Sequence, residues 1–135
     1  MRSILERLTE AQNAHDAHRM AALFAEDYVS AQPIHPGRAF NGRAQVFANW
    51  SSVFEGVPDF RATLLAFTRD GETEWGEFDW QGTHTDGAPF AMRGVIIVVV
   101  RDDVVAEARL YMEPVDRSGD DIEVAVEQLY RPPHA

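Results

Sequence analysis

Neither cysteine nor lysine occurs in this chain, and all 12 residues of the Lys and Arg class are arginine. The first absence excludes disulfides, a thiolate nucleophile and cysteine-ligated zinc. The second removes Schiff-base chemistry, a covalent pyridoxal site and the phosphate-binding loop that requires lysine. Gly-x-Ser-x-Gly and His-Glu-x-x-His are missing as well. No apolar run approaches the roughly 20 residues that span a bilayer. The opening MRSILERLTE carries acids in its first turns and is unlike a signal peptide. Carboxylates, histidine, tyrosine and amides remain as the groups available for chemistry.

Charge is one-sided. The formal net charge is −10, with no basic cluster to interrupt the acidic background. Phosphate backbones and anionic lipid surfaces are repelled by such a field, so neither nucleic acid nor a membrane is expected as a partner. A neutral or apolar small molecule, or another protein, fits better, and the expected location is the cytoplasm. The 135 residues and 45% hydrophobic content suit one domain, 1–135, with a substantial core.

Periodicity divides the chain in two. Ile4, Leu5, Leu8 and Ala11 recur at helical spacing. Asp16 can cap a second helix through HRMAALFAEDY, with Met20, Leu23 and Phe24 on one side. A short strand near Tyr28–Gln32 enters the irregular loop PIHPGRAF, and Asn41-Gly42 opens a third helix carrying Val46, Phe47, Trp50 and Phe54. After Pro58 the period changes to two. Four long strands are predicted, about 59–69, 72–84, 89–101 and 103–114, joined by the hairpin signals RDGE, TDGA and RDDV. A strand of a dozen residues spans roughly 40 Å, so the sheet must curl around the helices. Residues 118–130 read as a capped amphipathic helix with Ile122, Val126 and Leu129 inward.

The second predicted strand contains EWGEFDWQGTH, in which Glu77, Asp79 and Gln81 alternate with Phe78 and Trp80. Alternation alone would put the aromatics inside and the acids in water. The run GVIIVVV (94–100) is apolar on both faces, so both sides of that strand need cover. Helices cover one side. The other would expose a large apolar patch, which a twofold homodimer through the convex face relieves, with the tail helix as the rival cover.

Three helices followed by a curled antiparallel meander resemble the nuclear transport factor 2-like fold, and within it the SnoaL-like branch. That branch includes ketosteroid isomerase, limonene-epoxide hydrolase and polyketide cyclases. The matching stretches are LFAEDYVSAQP, FNGRAQVFANW, WQGTHTDG and VVVRDDVVAEARLYMEP. The resemblance implies an α+β cone, with three N-terminal helices packed in a curled, mostly antiparallel sheet and a short C-terminal helix. It also implies that the positions of Glu77, Asp79 and Gln81 look into the cone and those of Phe78 and Trp80 face outward.

The family's functional residues are only partly matched. Where ketosteroid isomerase has its general-base Asp before Pro, this chain has Gln32-Pro33; its oxyanion Tyr and protonated Asp fall near Leu8 and Ile96. An amide cannot abstract a proton, and Leu and Ile donate no hydrogen bond, so those three roles are vacant. The Arg-x-Asp of limonene-epoxide hydrolase falls on Glu77-Phe78-Asp79, its second Asp on Leu110, and its Tyr and Asn near Ser30 and Gln32. The acid and His that SnoaL-type cyclases keep late in the meander find no His in VVAEARLYMEP.

The resulting expectation is a cofactor-independent enzyme of isomerase, cyclase, lyase or hydrolase type acting on a neutral apolar metabolite. Asp79 would be the base, Glu77 its proton-holding partner, and Gln32 an orienting group. Ser30, Gln81, His35, Trp50, Met92, Leu110 and Met112 would contact the substrate. No metal is expected, since no two His share ligand spacing on one face. The alternative is a ligand-binding or dimeric assembly domain of the same fold.

Overall fold

The computed structural model describes residues 2–130. Helix α1 (Ile4–Asn13) begins at a capping box, in which Ser3 accepts from the Glu6 N–H and Glu6 accepts from the Ser3 N–H. Asp16 caps α2 (Ala17–Ala21), as expected. That helix ends earlier than its pattern predicts. Phe24 instead opens strand β1 (Phe24–Ala31), which pairs with a later strand at Phe24↔Val105. A ladder partner outweighs weak helical propensity here. The PIHPGRAF loop forms one 3-10 turn, Pro36–Arg38, and the two-residue strand β2 (Phe40–Asn41). Gly42 then starts α3 (Arg43–Gly56).

The meander follows as β3 (Arg61–Asp70), β4 (Thr73–Thr83), β5 (Pro89–Arg101) and β6 (Val104–Pro114), within a few residues of the predicted strands. Gly71 and the pair Asp102-Asp103 adopt positive φ, supplying the handedness that tight hairpins need. Six strands form one open, mixed sheet in the order β2-β1-β6-β5-β4-β3, with β1 parallel to β6 and all other pairs antiparallel.

The sheet curls around α1–α3. Gly76 allows this close approach: a Cβ there would lie 2.8 Å from the Leu5 side chain and 3.0 Å from that of Leu64. Leu5, Leu8, Met20, Phe60, Phe78 and Ile96 are buried in the concavity. Trp50, Phe54, Phe60 and Trp80 form an aromatic wall, with Trp80 5.2 Å from Trp50 and 5.9 Å from Phe60, centroid to centroid.

The tail requires a correction. Helix α4 (Ile122–Leu129), capped by Asp121, buries none of its residues, and Ile122 and Leu129 are 76% and 86% exposed. Ile122, Val126 and Leu129 therefore do not turn inward. The seven residues from Val115 to Asp121 carry the chain away from Pro114 as irregular, exposed backbone. No described helix is long and apolar enough to cross a membrane.

Candidate functional site

The orientation of β4 decides where chemistry can happen. Phe78 is fully buried and Trp80 is 6% exposed, whereas Glu77 and Gln81 are exposed. The face assignment drawn from the resemblance is thus reversed: the aromatics enter the cone, and the carboxylates lie on the convex side. The physical reason is the one alternation gives. Two aromatic side chains gain several kcal/mol by leaving water, roughly 1.5–3 kcal/mol each, and two anions would lose their hydration. The ladder carries this choice across the sheet, because residues directly opposite share a face: Phe78 with Gly94 and Met112, Trp80 with Met92, Glu77 with Val95 and Tyr111.

Asp79 and Glu77 therefore do not share a desolvated pocket. The Asp79 carboxylate pairs with Arg93 at 3.2 Å and accepts from the Gln81 amide at 2.8 Å. Arg93 lies opposite both Asp79 and Glu113 in the ladder, and His35 Nε2 sits 2.9 Å from each Glu113 oxygen. This row of charges is satisfied by its own members at the surface. The acid of β4 that does turn inward is Glu74, 2% exposed. It accepts from the backbone N–H groups of Leu5 at 3.1 Å and Ile4 at 3.4 Å, seating the positive end of α1.

Behind the aromatic wall lies a cavity of about 190 Å³, bordered by α1, α2, α3 and the inner faces of β1, β4, β5 and β6. Leu8, Met20, Phe24, Val46, Ile96 and Leu110 supply apolar lining, and Gln12, Tyr28, Ser30, Gln32, Asn49 and Trp80 supply polar groups. Of the expected site residues, Gln32, Ser30, Trp50 and Leu110 border this space. Met92 and Met112 belong to the packed core beside it. Gln81 and His35 stand outside, where the sheet's outward pleat and the Glu113 contact hold them.

Among the described residues no Asp, Glu, His or Arg borders the cavity, and Tyr28 is the titratable residue there. Burial pushes its phenol up to about 12, against a smaller opposing effect of the Ser30 hydroxyl. Tyr28 thus keeps its proton and can donate it in a hydrogen bond over the whole neutral range. Gln12 is fully buried, and neither its amide nitrogen nor its amide oxygen has a hydrogen-bond partner among the described residues; the same holds for Trp80 Nε1. The site's polar groups are therefore neutral donors and acceptors. Among the described residues no cluster of three or more His, Asp or Glu is arranged to hold a metal ion.

Neither Tyr28 nor Gln12 is among the site residues expected from sequence, yet both border the cavity. Gln12 had a usable signal: it follows Leu5 by seven and Leu8 by four, a polar residue on the apolar stripe of α1.

A SnoaL-like domain model matches residues 5–108. The chain belongs to the SnoaL-like family. Among solved structures, wild-type IdmH from Streptomyces antibioticus, described as a candidate polyketide cyclase, superposes with a TM-score of 0.71 at 23% identity, covering 82% of this chain and 89% of that one. A Catenulispora acidiphila protein with a ketosteroid isomerase-like fold, in complex with trimethylamine, gives 0.70 at 17% identity over 79% and 82%. A Mycobacterium tuberculosis protein in complex with estradiol-17β-hemisuccinate gives 0.69 at 17% identity over 80% and 89%. No curated protein sequence matches the chain. The SnoaL-like chain thus shares its cone with polyketide-cyclase-type and isomerase-type structures.

Proposed function

We propose that this SnoaL-like protein is a small-molecule isomerase or cyclase whose cone takes up a neutral, largely apolar molecule and polarises a carbonyl on it through Tyr28. The observation that carries this reading is the chemistry of the cavity: an apolar wall, a buried phenol that holds its proton and, among the described residues, no ion to pair with a charged ligand. An engineered apolar cavity of about 150 Å³ holds benzene, so a space of about 190 Å³ takes one substituted ring, with the remainder of a larger molecule at the mouth. That size favours a substrate unaccompanied by a nucleotide-sized cofactor.

The reaction class follows from what the donors can do. A phenol aimed at a carbonyl oxygen stabilises the negative charge that grows there as an enolate forms or as the carbonyl is attacked. Ser30 supports Tyr28, and Gln32 and Asn49 offer amides at the same cavity. With no carboxylate or imidazole among the described residues that border the space, the proton is handled by the substrate's own groups or by solvent, which suits tautomerisation and intramolecular ring closure. The proton-holding role expected of Glu77 passes to Tyr28, and the base expected at Asp79 has no counterpart among the described cavity residues.

Cyclohexanone labelled with ¹³C at its carbonyl tests this directly. Binding should move the carbonyl resonance downfield, Tyr28→Phe should weaken binding by about fivefold to tenfold, as loss of one net hydrogen bond does, and deuterium should enter the α-carbon faster than in buffer. Uptake without α-exchange supports the alternative, a ligand-binding domain. Absence of binding overturns both.

A second feature supports a homodimer. On the convex face Trp75 is 42% exposed, Val95, Val99 and Tyr111 are half-buried beside Ile97, and α4 leaves this face open. We propose that a second copy packs here, over an apolar strip rimmed by the Asp79–Arg93 pair. Trp75→Glu should then shift the sedimentation of the protein towards the monomer.

A further inference from the structure

Within the cavity two kinds of polar group differ in one respect. The Ser30 hydroxyl lies near enough to Tyr28 to act on its phenol, while the carboxamide of Gln12 has neither edge occupied among the described residues. A buried amide that leaves a donor and an acceptor unpaired destabilises a fold, and this one sits on α1 between residues that are otherwise apolar, Leu5, Leu8 and Ala11. A leucine or methionine would pack the same position without that cost. Trp80, which borders the same space from the opposing sheet, adds a third unpaired group in its indole N–H.

These three groups have a definite complement. A carboxamide offers an N–H and a C=O side by side, so its matching partner presents an acceptor beside a donor on one edge. The indole N–H then serves the second lone pair of the partner's acceptor. A ketone alone would leave the Gln12 oxygen unpaired. A carboxylate would set a second anionic oxygen against it and would enter with no cation among the described lining residues to meet it. An uncharged ring carrying a lactam, or a hydroxyl next to a carbonyl, meets all three demands.

We propose that Gln12, with Trp80, forms a recognition edge for uncharged ring ligands that carry adjacent acceptor and donor groups. The inference rests on the cavity-binding reading above and narrows its ligand class. Gln12 acts here as a specificity residue, and Tyr28 keeps the role of polarising donor.

The test uses 2-pyridone, a benzene-sized lactam, against N-methyl-2-pyridone, which lacks the donor, and toluene, which lacks both groups. Affinities are measured by calorimetry on the full chain and on Gln12→Met. The wild type should bind 2-pyridone about tenfold or more tighter than its N-methyl analogue, because a site built around a hydrogen bond rejects the analogue that leaves it unmade. In Gln12→Met the two affinities should come within about twofold, with toluene still bound. A second readout needs no variant: the side-chain amide resonances of Gln12 and the indole resonance of Trp80 should shift with 2-pyridone and stay in place with toluene. Toluene or cyclohexanone binding without preference for the lactam overturns this inference alone. Failure of every probe to bind the wild type overturns the cavity reading with it.

Discussion

The convex face of β4 and the cavity on its concave side hold polar groups of opposite kinds. On the convex face Asp79, Gln81, Arg93, Glu113 and His35 are charged or strongly polar, and they hydrogen-bond or pair with one another at the rim of water. On the concave side Gln12, Tyr28 and Trp80 are neutral and buried, and Gln12 and Trp80 lack partners within the described fold. Charge by itself is thus a poor guide to the working side of this sheet. A surface charge that has found its counter-ion has little left to do, whereas a buried neutral group without a partner retains its full capacity for a ligand.

The contrast predicts very different costs for neighbouring residues. Phe78→Ala should lose about 3–5 kcal/mol in urea unfolding, because it removes a fully buried ring from a packed core, whereas Glu77→Gln next to it should stay within about 0.5 kcal/mol. Comparable losses at both positions would mean that the convex face is also packed.

Tyr28 gives the next effect, at alkaline pH. Below about pH 10 an unfolded tyrosine is protonated, and the folded one is protonated too, so stability is level. Between that value and the folded value of about 12 the unfolded chain releases the proton and the native state retains it. Stability therefore falls as pH rises through this window, by up to ~3 kcal/mol, and Tyr28→Phe should remove that slope. Chemical denaturation at stepped alkaline pH reads it out.

Gln12→Met sharpens the comparison in the other direction. Replacing an unpaired buried amide by a side chain of similar shape should stabilise the free protein by about 1–3 kcal/mol, seen as a higher urea midpoint with an unchanged slope. The smallest effect belongs to the convex row. Asp79→Asn should cost at most about 1 kcal/mol, shrink in molar salt, and leave ligand affinity unaltered.

Much of this architecture is legible in the residues. Period-two runs and Gly- or Asp-bearing turns place β3 to β6, Asp16 and Gly42 mark the starts of α2 and α3, and the stripe of α1 is visible from Ile4 to Ala11. Even the inward turn of Phe78 and Trp80 is written in the simple alternation of β4. Positions in distant relatives assign these faces the other way, because a pleated strand has two faces and a shift of one residue exchanges them. The apolar stripe of α4 misled differently: helical periodicity shows that a face exists, but no local feature says whether anything packs against it.

Residue order and elementary propensity therefore determine the elements, their turns, the exclusion of thiol and lysine chemistry, and the two-sided apolar demand of residues 94–100. Assembly of the cone decides the rest. Gln12, Tyr28, Ser30 and Trp80 come from α1, β1 and β4, and they border one cavity because the sheet curls and Gly76 lets the first helix settle into it. Which polar groups end up paired and which stay open depends on contacts between residues far apart in the chain, and no local pattern encodes those.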